Sequence, residues 1–105
     1  MQKIGQYVSV EDSKAVVAVR GDFKLEVTDR VRDELEEAYR MGCTAVRFDM
    51  NNTDYIDSTV NKIIIRTLRH VGERMLEISN PKRSVFAALE ARDLAKFIVN
   101  GGKRA

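Results

Sequence analysis

The hydrophobic pattern of this chain changes period several times within 105 residues, and that alternation limits the folds open to it. Ala15-Val16-Val17-Ala18-Val19 is a compact, mostly β-branched run that stops at Gly21. Lys3 to Val10 alternates loosely before it, through Ile4, Tyr7, Val8 and Val10, and the polar Glu11-Asp12-Ser13-Lys14 separates the two. Two short strands around a polar turn predict an antiparallel hairpin. From Glu26 to Met41 the spacing becomes helical, with Val27, Val31, Leu35, Ala38 and Tyr39 on one face and Gly42 as a stop. Cys43 to Met50 returns to strand character.

Asn51-Asn52-Thr53-Asp54 reads as turn chemistry, followed by the short apolar step Tyr55-Ile56. A second helix is predicted from about Ser58 to Gly72, because Val60, Ile63, Ile64, Thr67, Leu68 and Val71 recur at helical spacing behind good capping residues. Met75 to Ile78 is a short strand. Asn80-Pro81 opens a third helix, with Val85, Phe86, Ala88, Leu89 and Leu94 as its apolar face. Phe97-Ile98-Val99 fits either a last strand or a helix end, and residues 100–105 read as a flexible tail. The order β-β-α-β-α-β-α predicts an α/β fold. Its mixed sheet starts with an antiparallel hairpin, continues through right-handed parallel crossovers and is covered by helices. Val16, Val19, Val46, Phe48, Ile63, Ile64, Leu68, Phe86 and Leu89 are expected to share one core. Length predicts a single domain over residues 1–105.

Net charge is only +2, which argues against a dedicated nucleic-acid binder. The single cysteine, Cys43, excludes an internal disulfide and reads as a small buried hydrophobe. Met1-Gln2-Lys3-Ile4-Gly5 lacks a signal-peptide core and no apolar run is long enough for a bilayer, so the expectation is a cytoplasmic protein without membrane insertion.

Only the stretch from Asp49 to Ser58 is dense in polar functional groups. A calcium loop starting at Asp49 would need glycine and glutamate where Asp54 and Val60 stand. A serine nucleophile needs a base, and the one histidine, His70, lies roughly 18 Å from Ser58 along the same helix. It reads instead as a surface residue in the last turn. A phospho-aspartate receiver does not match the element order. No metal, cofactor or catalytic site is expected, and no enzymatic activity.

Phe48-Asp49-Met50, then Asp54-Tyr55-Ile56-Asp57-Ser58-Thr59, then an apolar helix, resembles the core motif of STAS domains. More narrowly it is similar to the anti-sigma factor antagonists of bacterial partner-switching systems. Val19-Arg20-Gly21-Asp22-Phe23, Ser79-Asn80-Pro81 and Leu89-Glu90-Ala91-Arg92-Asp93-Leu94 extend the resemblance over nearly the whole chain. It implies that Ser58 is phosphorylated by an anti-sigma factor that is also a serine kinase, and that a serine phosphatase resets the switch. The implied partner surface comprises Asp57, Ser58, Thr59 and Lys62, with Asp22, Phe23 and Lys24 from the first strand–helix loop. The alternative is a STAS module without phosphorylation, serving as a structural or regulatory subunit of a transporter or sensory complex.

Three positions depart from the family pattern. Val60 replaces a glycine and is a candidate obstruction to a kinase. Lys24 often corresponds to an aspartate and is a candidate partner for Asp57 or phosphoserine. Asp93 replaces a glycine near the last helix and is expected to alter that helix's end.

Overall fold

The computed structural model describes residues 1–99. The antiparallel start forms as expected. β2 (Val8–Glu11) and β3 (Lys14–Ala18) make the hairpin, with Asp12 in the left-handed region at φ 57°, and a two-residue β1 (Gln2–Lys3) adds to its outer edge. Beyond β3 every strand joins in parallel. β5 (Ala45–Asp49) pairs with β3, β7 (Leu76–Ser79) with β5, and β8 (Ile98–Val99) with β7. The sheet order is β1-β2-β3-β5-β7-β8, so Phe97–Val99 resolves into a 3₁₀ turn and a terminal strand.

The helices are α1 (Leu25–Arg40), α2 (Ser58–Val71) and α3 (Arg83–Ala91). α1 packs over β2 and β3, α2 over β5 and β7. Between them lie Val8, Ala15, Val17, Val46, Phe48, Leu76 and Ile78 from the sheet, with Val31, Leu35, Ala38, Ile63 and Ile64 from the helices. Of the expected core, Val19, Val46, Phe48, Ile63, Ile64 and Leu89 are buried, while Leu68 is half-buried against them. Val16 is only half-buried and lies on the opposite sheet face, because successive strand residues alternate and Ala15 and Val17 take the inner positions. A run of five apolar residues carries no phase, so the sequence could not choose between them. Phe86 is likewise half-buried, and Val85 and Leu89 supply the inner face of α3.

Three strands were not foreseen: β1, which splits off from the expected Lys3–Val10 strand and folds back on β2, and the two that follow. β4 (Gly21–Phe23) and β6 (Thr53–Ile56) form a separate parallel pair, with Asp22 opposite Tyr55 and Phe23 opposite Ile56. The supposed turn residue Thr53 is fully buried, and its hydroxyl donates to the Val19 carbonyl at 2.7 Å. Gly21 adopts φ 85° and its N–H donates to the Asn52 carbonyl at 2.9 Å. This small ribbon carries the ends of β4 and β6 side by side into the starts of α1 and α2.

Two helix ends share one device. α1 closes with Gly42 at φ 97°, whose N–H donates to the Tyr39 carbonyl, while the Cys43 N–H donates to Ala38. α3 closes with Asp93 at φ 61°, whose N–H donates to Glu90, while the Leu94 N–H donates to Leu89. Both are Schellman closures, each sealed by a buried pair, Ala38 with Cys43 and Leu89 with Leu94. Cys43 is therefore a core residue, and burial pushes its thiol pKa up.

Glu34, an acidic residue on the outer part of α1, reaches the segment before β2. Its carboxylate accepts the N–H groups of Gln6 (3.0 Å), Tyr7 (2.9 Å) and Val8 (2.9 Å). Gly5 leaves the room for it: a Cβ at that position would stand 2.4 Å from the Glu34 carboxyl carbon.

Candidate functional site

Because β4 and β6 run parallel, with Asp22 and Phe23 paired to Tyr55 and Ile56 beyond a register shift after Gly21, their following loops converge. The Asp57 N–H donates to the Phe23 carbonyl at 3.2 Å, which locks the two loops together. Asp57 is the N-cap of α2, in extended conformation, and one carboxylate oxygen accepts the Thr59 N–H at 2.9 Å. The same oxygen accepts the Thr59 hydroxyl proton. The other oxygen accepts the Leu25 N–H, at 3.2 Å, in the first turn of α1. Lys24 occupies the N-cap of α1, where its side chain makes no capping bond. Asp57 thus caps both helices, supplying from a neighbouring loop what Lys24 cannot. Burial works against the ionised form, but the Thr59 hydroxyl and the N–H groups of Thr59, Leu25 and Val60 outweigh it. They hold the Asp57 carboxyl below the ordinary carboxylate range.

Ser58 is the first residue of α2 and is exposed, and its hydroxyl has no hydrogen-bond partner among the described residues. Its neighbours are both committed. Thr59 turns toward α1, where the Thr28 hydroxyl lies 3.1 Å from the Thr59 hydroxyl and 2.9 Å from the Leu25 carbonyl. The Thr59 proton belongs to Asp57, so the single Thr28 proton serves one of these two acceptors.

Of the expected surface, Asp22, Lys24, Ser58 and Lys62 are exposed, and Asp57 and Thr59 are half-buried. Phe23 does not belong to that surface: its side chain is 1% exposed and sits in the core, because alternation in β4 turns it inward when Asp22 faces out. Lys24 does not pair with Asp57. Its ammonium stands 3.9 Å from Asp22, both largely in solvent, a contact that contributes little. Two apolar residues missed by the sequence reading flank the site, Leu25 and Tyr55, each 54% exposed. Tyr55 lies within the stretch already singled out, and Leu25 is an unpaired apolar residue at a helix start. Asp54 is engaged by Lys82, across from the start of α3.

A family model described as "Mlab, STAS domain" matches residues 7–100. The chain belongs to the STAS family. No curated protein sequence matches it. Among solved structures, the STAS domain here is similar to the anti-sigma factor antagonist SpoIIAA in its unphosphorylated form, with TM-score 0.78 and 13% identity over 89% of this chain and 84% of that one. It is also similar to the Bacillus cell fate determinant SpoIIAA in the phosphorylated form, with TM-score 0.70 and 13% identity over 90% and 88%. A sulfate transporter family protein from Wolinella succinogenes gives TM-score 0.68 and 15% identity over 86% and 79%. At such identities the likeness establishes the STAS fold, which the element order and mixed sheet bear out.

The three departures from the STAS pattern now have locations. Val60 is fully buried, so it packs into the core beneath α2 and does not stand in the way of anything approaching Ser58. Lys24 leaves a cap to be filled by Asp57. Asp93 leaves the end of α3 intact, taking the left-handed conformation that a glycine would adopt freely. His70 is exposed near the end of α2, as expected, and stacks on the Tyr39 ring with centroids 3.7 Å apart.

Proposed function

We propose that this STAS domain is an anti-sigma factor antagonist whose docking surface is switched by phosphorylation of Ser58. The observation that carries this reading is the exposed, unpartnered Ser58 hydroxyl at the start of α2, held between two residues that are tied down. A kinase would meet a hydroxyl presented on a fixed backbone with no internal bond to break. The starts of α1 and α2 converge on Asp57, so two sets of N-terminal amides and two helix dipoles face the same region. Such an environment tolerates an added anion, and the fold would survive modification. The surface would not be the same. A phosphate brings about −1.5 to −2 charges, and a partner seated on Asp22, Lys24, Leu25, Tyr55, Ser58 and Lys62 would have to desolvate it.

In this reading the partners are an anti-sigma factor with serine kinase activity and a serine phosphatase, and the protein works in the cytoplasm without chemistry of its own. No helix of the described residues is long and apolar enough to cross a membrane. The test is incubation with candidate serine kinases and ATP, intact mass, and site mapping. Titration calorimetry of wild type, Ser58→Ala and Ser58→Asp against the partner follows. Ser58→Ala should bind and resist phosphorylation. Ser58→Asp should bind more weakly by about 1–3 kcal/mol. Equal affinity for all three, with no modification, would favour the second reading, a non-phosphorylated subunit of a transporter or sensory complex. The likeness to a sulfate transporter family protein is the observation on that side.

A further inference from the structure

A trough of about 780 Å³ runs between α1 and α2, beginning at Thr59 and ending near Arg69. Its walls carry four cations, Arg32 from α1 and Lys62, Arg66 and Arg69 from α2, against one carboxylate, Asp29. The whole chain has a net charge of only +2, so a surface with four cations to one carboxylate is locally positive well beyond the average. Arg32 is shared with Asp29 (3.5 Å) and Asp33 (3.3 Å), and Arg66 with Glu36 (3.3 Å). These are exposed pairs, which hold their partners weakly. Lys62 and Arg69 have no ion-pair partner among the described residues, and the sequence places them two turns apart along α2, roughly 10 Å. Apolar surface accompanies the charge: Leu25 is 54% exposed and Ile65 is 37% exposed, and both line the trough.

We propose that this trough is the seat of an acidic amphipathic helix from a partner protein. A single phosphate calls for cations that converge on one point; these are strung along two turns of α2. A nucleic acid makes no use of the apolar residues beside them, and an anionic lipid surface, which takes up both cations and apolar side chains, is flat where this site is a trough between two helices. A helix with apolar side chains at i, i+3 or i+4 and i+7 would cover Leu25 and Ile65, and carboxylates along its edges would meet Lys62, Arg66 and Arg69 on one side and Arg32 on the other. Lys62 lies one turn beyond Ser58, so the helix would lead up to the switch. The inference rests on the reading above that a protein partner docks at the start of α2, and it adds what that partner must present.

The test is selection of a displayed library of 16-residue helical peptides on the immobilised protein, with counter-selection on Lys62→Glu/Arg69→Glu. Both substituted residues are exposed, and circular dichroism checks that the double variant folds. Enriched peptides should be rich in Asp and Glu and carry apolar residues at helical spacing. Their affinity should fall at least tenfold on the double variant and on raising salt, and somewhat less on Lys62→Gln/Arg69→Gln. Failure to enrich, enrichment without an acidic bias, or binding indifferent to the double variant would each overturn the proposal. So would binding of phosphatidylglycerol vesicles in preference to every selected peptide. Ser58→Asp separates the two readings. If the selected peptides bind it and the wild type alike, the phosphorylation switch loses support while the trough assignment stands. If Ser58 is phosphorylated by a kinase but no acidic helix is selected, the trough assignment falls alone.

Discussion

Glu34→Ala should be among the most damaging single substitutions on the surface of this protein. The carboxylate accepts three backbone N–H groups on a segment 26 to 28 residues away, two of them partly buried at Tyr7 and Val8. A hydrogen bond to a charged group contributes about 1.5–3 kcal/mol. Water can replace the exposed Gln6 bond, so only the other two count, and partial exposure favours the lower end. The expected loss is about 3 kcal/mol, a large fraction of the roughly 5–15 kcal/mol that holds a domain of this kind together. In thermal terms that is about 10–20 °C. The sharper measurement is a double-mutant cycle with Gly5→Ala. The new Cβ would meet the carboxylate at 2.4–2.9 Å, so it must expel Glu34 and forfeit the same bonds. Gly5 does not require the left-handed region, so alanine there brings no backbone strain. In the Glu34→Ala background Gly5→Ala should therefore be neutral, or stabilise by about 0.4–1 kcal/mol through the unfolded chain. Urea unfolding followed by far-UV circular dichroism measures all four proteins, with unchanged slopes as the control. Additive effects of the two substitutions, or a loss below about 1 kcal/mol for Glu34→Ala, would refute the reasoning.

Asp93→Gly should raise stability by about 1 kcal/mol, because it relieves a left-handed aspartate at φ 61° and removes a negative charge from a helix C-terminus. Gly42→Ala, at φ 97° in the matching closure of α1, should lower it by about 1–2 kcal/mol; parallel urea titrations compare them, and equal effects of the same sign would contradict the account. Stability should also fall on acidification in a defined way. The folded pKa values of Asp57 and Glu77 both lie below their ordinary ones. Burial opposes ionisation at each, but Thr59, Leu25 and Val60 overcome it at Asp57, and Arg47 and Lys14 at Glu77. Their contribution is complete above the unfolded pKa of about 4 and is lost as pH drops through the lower folded values. Asp57→Asn should flatten that part of the curve, and an unchanged slope below about pH 4 would tell against the capping role.

What the sequence made legible divides along the range of the contacts involved. Helical periodicity located α1 and α2 to within about a residue, because the signal for a helix lies within the helix. The order of strands and helices then left few topologies, and the mixed sheet followed. β4 and β6 escaped because each exists only through the other. Gly21-Asp22-Phe23 is too short to show alternation, and Asn51-Asn52-Thr53-Asp54 has turn composition although Thr53 is bonded in the core. The same limit applies to the site. Ser58 stands at a local feature, a cap before a helix, but only the resemblance to the STAS motif set it apart from an ordinary capping residue. Phe23 was misplaced because the phase of a three-residue strand is fixed by its partner. Nothing in the sequence distinguishes Asp57 from any other N-cap, since the second amide it holds belongs to Leu25, 32 residues earlier in the chain. Glu34 reads as one more acidic residue on a solvated helix until the segment before β2 is laid against it. Both carboxylates act across the fold on backbone amides. Amides look the same in every sequence, so it took the fold to show which ones they hold.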